Sequence, residues 1–470
     1  MDIITDDEVY EYACCPSKYY LNKYAKGKIK DGESLYLSHL SELIEKNRRK
    51  ICKSLRSLNT IEESDDIYSK SYKLMKKGEE NIHGAVLCAN GFISRPFLLE
   101  KTEKSSNLGK HSYQILDFIP SIQFSEEYKI KLAFQSYLLY FSLGFMPSNC
   151  KMINIKREVL EFNPVTLFED VKVITDNIRK IEYKKEYPVC CINLHCKICR
   201  WRDKCMKECI GRKDLSVLFG VTRNRRQILL NNNINSFEDL TKANDKLLSH
   251  LKEEGIKNIK FLVKQSFSFI KNKPLILLVP KIPKRSPFLY FDIEGQIDLN
   301  FQYLFGIYNE DSSRYISFWA DEIENEKEAF VKLINYLKKT KKYTLVHYGN
   351  YEKTVIRELC FKYNIPKKTE EKIIKSMIDL YSIVKKSTAL PLLSYSLKDV
   401  AKFIGFKWKD KDALGVNSII WHNDWLNTKD TKCKNRILQY NEDDCKATMF
   451  LMKWLLKLRE DNNEPKRRFV

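Results

Sequence analysis

The chain has 470 residues, enough for two or three domains, and 43% of them are apolar, which excludes an intrinsically disordered protein. Lysine and arginine number 82 against 61 acidic residues, giving a formal net charge of +21. Such an excess suits a polyanionic partner, because basic side chains displace the counterions of phosphate groups. A lysine-rich composition with no such partner is the alternative, and charge alone does not distinguish DNA from RNA.

Membrane and secretion signals are not evident. The apolar stretch from Lys131 to Pro147 is too short and too polar to span a bilayer. The segment MDIITDDEVYEY is acidic and lacks a signal-peptide core. We therefore expect a cytoplasmic protein whose 14 cysteines are reduced or metal-bound. No G-x-x-x-x-G-K-[ST] run occurs, so any helicase would be a separate partner.

Three regions differ in pattern and together predict an α/β protein. In residues 1–210, VLCANGFI and YQILDFI are typical of strands and EEYKIKLAFQSYLLYFSLGF of a long helix. Residues 211–273 predict a small helical module. After a proline-rich linker, residues 288–470 predict three strands, a helix, a strand, a helix and then mostly helix.

Cysteines at both ends of the first region indicate a metal site. Cys15 lies in a C-P-x-x-x-x-L motif, and Cys196, Cys199 and Cys205 form a C-x2-C-x5-C motif. Four thiolates can bind zinc or an iron–sulfur cluster. The spacing resembles the iron–sulfur RecB-type nucleases, which implies a 4Fe–4S cluster that pins the ends of the domain together. Zinc and four metal-free buried thiols are the alternatives. Three further cysteines obscure the register: Cys190, Cys191 and Cys209.

The same resemblance implies a restriction-endonuclease-like domain, whose nuclease site needs two acids, a lysine and a glutamine. Asp117 and Gln135 match this pattern, but Phe97 stands where the first acid belongs and Ile119 where the lysine belongs. Without the lysine, deprotonation of water and stabilisation of transition-state charge both weaken. We therefore expect a degenerate nuclease domain retained for binding. Two nearby lysines are candidates for a replacement: Lys101 and Lys104.

The middle region resembles helix–hairpin–helix modules, in which a glycine turn offers backbone amides to phosphate. Gly220 is followed by three arginines that suit phosphate contacts: Arg223, Arg225 and Arg226. The pattern is incomplete, because Asn232 and Asn233 stand where a glycine is expected. A helical connector with a solvated basic face would have the same sequence.

In the last region, a buried-strand pattern in FLYFDIEGQ is interrupted by Asp292 and Glu294. Both carboxylates project from one face, because side chains alternate along a strand. Neighbouring anions at the end of an apolar strand repel each other, and a divalent cation is the usual compensation. A strand end at which both acids face water is the alternative.

Two further acidic positions follow. Glu352 begins a predicted helix after the strand in YTLVHYGNYE, a position where a glutamate more commonly stabilises the helix dipole. In ILQYNEDDCKATMF, Tyr440 and Asp444 share one face of a predicted helix. Their neighbours Glu442 and Asp443 are expected to face solvent.

The order D-x-E, H-x-x-x-Y-E and Y-N-x-x-D resembles the tyrosine-containing branch of the DEDD exonucleases. This resemblance implies an RNase H-like fold and 3′→5′ exonuclease activity with two magnesium or manganese ions about 3.5–4 Å apart. Four carboxylate ligands and a water-orienting tyrosine are implied: Asp292, Glu294, Glu352, Asp444 and Tyr440. Glu352 replaces the more common aspartate, so Asp379 is an alternative ligand. His347 could contribute or could be a packing residue.

Longer stretches such as FWADEIENEKEAF and SYSLKDV resemble the RecB-like nuclease family, most strongly from Phe291 to about Leu458. Its members join a RecB-type domain to a C-terminal exonuclease domain. We therefore expect an exonuclease acting on DNA, single-stranded most simply, with the first domain as a binding platform. RNA trimming and a non-catalytic iron–sulfur nucleic-acid-binding protein are the alternatives. Three tryptophans are expected in the core or along a strand channel: Trp408, Trp421 and Trp425.

Overall fold

The computed structural model describes residues 3–25, 35–121, 123–283, 287–296, 299–410 and 415–463. The chain divides into two compact units, one of Met1–Cys190 with Leu194–Cys205 and the other of Cys191–Asn193 with Met206–Val470. In the described ranges, no helix combines the length and apolar composition that crossing a bilayer requires.

The first unit combines short strands with longer helices. Its strands are β1 (Ile4–Thr5), β2 (Asn59–Thr60), β3 (Asn81–His83), β4 (Leu87–Ala89), β5 (Phe92–Ser94), β6 (Leu98–Thr102), β7 (Ser112–Phe118), β8 (Cys150–Ile153) and β9 (Val159–Phe162). Its helices are α1 (Asp6–Cys14), α2 (Pro16–Tyr24), α3 (Leu35–Ser54), α4 (Ile67–Lys77), α5 (Glu126–Leu143) and α6 (Phe168–Lys184), and α7 (Arg202–Gly211) begins in it.

A mixed sheet with the order β2-β3-β6-β7-β8-β9 organises this unit. Strands β3, β6 and β7 are antiparallel, and β7 then pairs in parallel with β8 after the crossover through α5. Helix α5 begins at the cap Ser125, ends at Gly144 with φ 77°, and buries Leu132, Phe134 and Leu138 in the core. It is buried on most sides, which explains its nearly continuous apolar sequence.

The stretch VLCANGFI, predicted as one strand, instead forms the hairpin of β4 and β5. Its two turn residues, Asn90 and Gly91, have φ values of 50° and 76°. Asn-Gly favours this tight turn, because both residues tolerate a left-handed backbone that matches the twist of the flanking strands. The prediction missed the turn because the apolar residues continue on both sides of it.

The second unit begins with short helices and continues into a five-stranded sheet. Its helices are α8 (Arg223–Asn231), α9 (Phe237–Lys242), α10 (Asp245–Glu253), α11 (Ile259–Lys271), α12 (Glu326–Lys339), α13 (Tyr351–Lys362), α14 (Lys367–Ser376), α15 (Leu380–Ser387), α16 (Leu397–Phe403), α17 (Gly415–Thr428) and α18 (Thr431–Asn463). Its strands are β10 (Leu275–Ile276), β11 (Phe288–Gln296), β12 (Phe301–Asn309), β13 (Arg314–Trp319), β14 (Thr344–His347), β15 (Met377–Asp379) and β16 (Thr388–Ala389).

Buried Gln265 on α11 ties the short helices to the rest of this unit. Its side-chain carbonyl accepts the backbone N–H of Phe219 at 2.8 Å. Its amide donates to the carbonyls of Leu390 at 3.1 Å and Leu392 at 2.9 Å. Because the glutamine is inaccessible to solvent, its loss would leave three backbone groups without this partner.

The main sheet has the order β13-β12-β11-β14-β15, with β11 in the centre. Strands β11, β12 and β13 are antiparallel, whereas β14 and β15 run parallel to β11. Along β11, Leu289, Phe291 and Ile293 enter one core cluster. Tyr290 enters the core on the other face, which also contains α18 residues such as Cys445. Asp292 and Glu294 alternate in phase with Tyr290 and therefore project toward α18.

Helix α18 approaches the sheet closely where β12 carries Gly306, the register partner of Asp292. A Cβ atom at Gly306 would lie 1.6 Å from the Asn441 side-chain oxygen and 2.9 Å from the Tyr315 hydroxyl. The absence of a side chain at this position therefore makes room for Asn441 between the helix and the sheet.

Candidate active site

Three carboxylates converge at the end of the central strand. Asp292 and Glu294 come from β11 and Asp444 from α18, and one ligand oxygen of each lies within 4.8 Å of the others. Within the described ranges, this is the one group of three or more histidine, cysteine or acidic side chains with such a spacing. The strand alternation and the helix face predicted from the sequence produce this arrangement.

Each of these carboxylates accepts a hydrogen bond from a neutral donor. The pairs are Asn441 Nδ2 with Asp292 at 2.6 Å, Ser418 Oγ with Glu294 at 2.7 Å, and Trp408 Nε1 with Asp444 at 2.6 Å. Asn441 is itself oriented by the hydroxyl of Tyr315, which donates to its side-chain oxygen at 2.8 Å. These neutral donors orient the carboxylates without neutralising their negative charge.

Burial raises the pKa values of all three acids, and neighbouring negative charges add to the shift. Burial is the main cause for Asp292, whose pKa lies well above its usual value, and the charges of Glu294 and Asp444 add to it. The pKa of Glu294 rises to about 8, mainly through burial and then through the charge of Asp444. Burial also raises the pKa of Asp444 to about 6. The group is therefore poorly compensated by the protein alone.

Lys398 and Tyr440 complete the surroundings of Asp444. Tyr440 is buried, and its hydroxyl is a hydrogen-bond partner of the Asp444 carboxylate. The Lys398 ammonium lies 4.6 Å from the centroid of the Tyr440 ring. Burial lowers the pKa of half-buried Lys398, and the charges of Asp444 and Glu294 oppose that shift. The lysine lies within electrostatic range of these acids.

The residues present fit a divalent metal ion. A divalent cation would compensate the negative charge that burial makes costly at these three acids, and carboxylate oxygens are the ligands that Mg²⁺ and Mn²⁺ prefer. The hydrogen bonds from neutral side chains fix the orientation of the ligands, as the surroundings of metal sites usually do.

Glu352 lies near this group but outside it. It is buried at the start of α13, and its charge contributes to the raised pKa of Asp292. Its Oε2 atom lies 3.3 Å from Nδ1 of buried His347, at the end of β14. Asp379, the alternative ligand, instead caps α15, because it accepts hydrogen bonds from the N–H of Tyr381 and from Gly349.

The expectation for Asp443 is wrong, because this residue is buried rather than facing solvent. Its carboxylate accepts the backbone N–H of Lys409 at 2.8 Å and the amide of Gln439 at 3.0 Å. It therefore anchors the segment that carries Trp408. Glu442 is partly exposed and pairs with Lys446.

Several of the cysteines predicted to bind a metal lie near one another in the first unit. Cys196 and Cys199 form a tight turn, with the N–H of Cys199 donating to the Cys196 carbonyl at 3.4 Å. Burial raises the pKa of Cys199, and the charge of Cys15 adds to it. A hydrogen bond with Cys190, together with burial and the charge of Cys15, raises the pKa of Cys205. Cys15 therefore lies within electrostatic range of both Cys199 and Cys205.

Asp117 lies on β7 and Gln135 on α5, and each binds another side chain of the first unit. Asp117, which is buried, forms an ion pair with partly exposed Arg48 at 2.8 Å. Gln135 donates to the carboxylate of Asp6 at 2.6 Å. The two lysines considered as replacements have partners elsewhere, since Lys101 pairs with Glu80 and the Lys104 ammonium lies over the Phe145 ring.

Two of the three arginines in the middle region bind groups within the protein. Arg226 binds the buried carboxylate of Asp214 through two nitrogens, at 3.0 and 2.7 Å. Arg225 donates to the Gly220 carbonyl at 2.7 Å. Asn233 has φ 60°, so asparagine adopts the left-handed conformation for which a glycine was expected.

Four side chains around the carboxylates were not predicted as their partners: Lys398, Trp408, Ser418 and Asn441. Asn441 stands within the Y-N-x-x-D motif, which offered a signal for it. Lys398, Trp408 and Ser418 come from separate segments whose approach depends on the tertiary fold. Trp421 and Trp425 are buried, which favours the core alternative for them.

The raised pKa values predict a pH-dependent stability in the metal-free protein. In the folded state Glu294 keeps its proton up to about pH 8, whereas in the unfolded chain it loses the proton at a lower pH. Its protonation therefore contributes fully to the free energy of unfolding below the unfolded pKa, and this contribution is lost as the pH rises toward 8. Mn²⁺ should therefore raise the melting temperature more at about pH 7.5 than at about pH 5.5. Thermal unfolding at both pH values checks this, and Glu294→Gln should flatten the difference. Equal stabilisation by Mn²⁺ at both pH values would contradict it.

The family comparison agrees with this geometry. Residues 289–456 match a family model of the RNase_H superfamily, RNase_H_2, and no curated protein matches the chain. The matched range begins on β11 and ends on α18, so it contains all five strands of the main sheet and the three converging carboxylates. The C-terminal part of the chain is therefore an RNase H-like domain, which suggests a nuclease-type function and a nucleic-acid substrate.

Proposed function

We propose that the C-terminal domain is a metal-dependent 3′→5′ exonuclease of the DEDD type, with single-stranded DNA as its preferred substrate. The convergence of Asp292, Glu294 and Asp444 within an RNase H-like domain carries this proposal. The position of Tyr440 against Asp444 supports the tyrosine-containing branch. The net charge of +21 agrees with a polyanionic substrate.

In the proposed reaction, a water oxygen attacks the terminal phosphorus and the bond from phosphorus to the 3′-oxygen breaks. Asp292, Glu294 and Asp444 would hold the metal ions, and Glu352 would support the outer position. When bound, divalent ions make a coordinated water acidic and stabilise charge on the leaving oxygen. Tyr440 orients the attacking water through its hydroxyl. The products are a nucleoside 5′-monophosphate and a strand shortened by one residue.

Lys398 is proposed to bind an oxygen of the scissile phosphate. Its ammonium group is held over the Tyr440 ring and lies within electrostatic range of Asp444, Glu294 and Asp292. A cation fixed beside the carboxylates can stabilise the charge that develops on the phosphate, at little cost in reorganisation. In the substrate-free protein the same charge partly offsets the repulsion among the acids.

For the first unit we propose a nucleic-acid-binding role without hydrolysis. The pairing of Asp117 with Arg48 supports this, because the guanidinium neutralises the carboxylate that a metal would need. The burial of Phe97 and Ile119 at the positions of the missing acid and lysine agrees with it. A non-catalytic role for the whole chain would require that Glu352, outside the carboxylate group, fails to support a metal ion.

We also propose that Cys15, Cys196, Cys199 and Cys205 bind a 4Fe–4S cluster. The turn that joins Cys196 and Cys199 and the electrostatic reach of Cys15 to Cys199 and Cys205 support one shared site for these thiols. The resemblance of the cysteine spacing to the iron–sulfur RecB-type nucleases favours a cluster over zinc in this proposal.

Replacing Asp292 or Asp444 with asparagine should lower the hydrolysis rate by at least about 10³-fold, because each change removes a charged metal ligand. A 5′-labelled single-stranded oligonucleotide with Mg²⁺ or Mn²⁺ should give a descending ladder with the wild-type protein. Binding of the strand, followed by fluorescence anisotropy, should persist in both variants.

Glu442→Gln is the matched control for these variants, because it removes an acid from the same helix outside the carboxylate group. It should retain the wild-type rate. An active Asp292→Asn protein would contradict the site assignment. The same assay with RNA of identical sequence distinguishes DNA hydrolysis from RNA trimming, and absence of product from both would favour a binding role.

Lys398→Met should lower kcat by about 10²-fold, because a charge aimed at the reacting phosphate is lost. Lys398→Arg, which keeps the charge, should lose less activity than Lys398→Met. Mn²⁺ affinity, measured by calorimetry, should change little in either variant. If Lys398→Met abolished Mn²⁺ binding, the lysine would instead maintain the shape of the carboxylate group.

Protein purified without oxygen should absorb near about 400 nm and contain iron rather than zinc, as expected for thiolate-bound iron–sulfur clusters. Cys199→Ser should lose both the absorbance and the iron, whereas Cys433→Ser, outside the cysteine motifs, should retain them. Zinc without iron in the elemental analysis would show that the cluster assignment is wrong.

A further inference from the structure

His347 and Glu352 form a second group of buried polar atoms in the C-terminal domain. His347 ends β14 and is 1% exposed, while Glu352 lies in the first turn of α13 and is 4% exposed. Nδ1 of His347 and Oε2 of Glu352 lie 3.3 Å apart, yet neither atom has a hydrogen-bond partner among the described residues. Buried polar atoms without partners are rare in proteins and require a physical explanation.

The separation of these two atoms is compatible with a shared metal ion. Neighbouring ligands in an octahedral site with metal–ligand distances of about 2.1 Å lie about 3 Å apart. An ion bound by both atoms would satisfy the nitrogen and the oxygen together. Such an ion would also lie near Asp292, because Glu352 is close enough for its charge to raise the pKa of Asp292.

We propose that His347 is a metal ligand, and that its imidazole and the Glu352 carboxylate hold the second ion of the site. This inference rests on the proposed function and deepens it, because it gives the two ions different ligand sets. One ion is held by the carboxylates of Asp292, Glu294 and Asp444, and the other by a nitrogen and carboxylate oxygens.

The mixed ligand set has a consequence for metal choice. Imidazole nitrogen binds first-row transition ions more readily than Mg²⁺, which prefers oxygen ligands in a regular octahedron. The position at His347 therefore favours Mn²⁺ over Mg²⁺, whereas the carboxylate position accepts either ion. The unusual glutamate in the second motif is compatible with this, because its longer side chain reaches the histidine.

Titration of the metal-free full-length protein with Mn²⁺ tests the proposal, with electron paramagnetic resonance to count bound ions. Electron spin-echo envelope modulation should detect a directly bound ¹⁴N nucleus in the wild-type protein. His347→Asn keeps an N–H that can donate to Glu352 but removes the imidazole. This variant should lose the nitrogen signal, and its affinity for one of the two ions should fall by at least about 10-fold. Glu352→Gln should lower the affinity for the same ion.

His250→Asn is the matched control, because His250 is an exposed histidine of the same unit, and its replacement should leave the signal unchanged. A wild-type spectrum without a nitrogen signal, or one that persists in His347→Asn, would overturn the proposal. Circular dichroism and thermal unfolding show whether each variant is folded. If His347→Asn does not fold, His347→Gln is used in its place. Unchanged Mn²⁺ binding in Asp292→Asn would instead contradict the proposed function, so the two failures are distinguishable.

Discussion

Repulsion among three closely spaced carboxylates is the constraint on which the C-terminal domain depends. Asp292, Glu294 and Asp444 are brought together by the packing of one helix on one strand, and the fold provides mostly neutral donors to compensate them. Holding like charges together in a buried site costs free energy, which cation binding recovers. The proposed metal ions would supply this compensation, and the apparent stability of the domain should then depend on them.

Much of this arrangement could be predicted from the sequence, because it follows from local periodicity. The alternation in FLYFDIEGQ placed Asp292 and Glu294 on one face of a strand, and the helical spacing of Tyr440 and Asp444 placed these two on one face of α18. The long helix α5 and the strand carrying Asp117 were also predicted correctly. In each case the residues within one element determine the result.

The remaining features depend on contacts between segments that are distant in sequence. Ser418 and Lys398 reach the acids only because α17 and α16 pack near β11 and α18, and neither segment has a pattern that identifies a ligand partner. Asp443 was expected to be exposed because the helix was considered alone, without the segment around Lys409 that covers it. Strand β15 has only three residues, Met377–Asp379, too few for periodicity to distinguish it from the helices around it.

The close approach of α18 to the sheet extends the site beyond its polar residues. Gly306 carries no functional group, yet a methyl group there would collide with Asn441, the residue that orients Asp292. A larger residue at Gly306 would therefore reach the carboxylates by displacing Asn441. A variant of this kind would keep every acidic motif in its sequence and still lose the arrangement of the carboxylates, so the motifs alone do not reveal whether the site is intact.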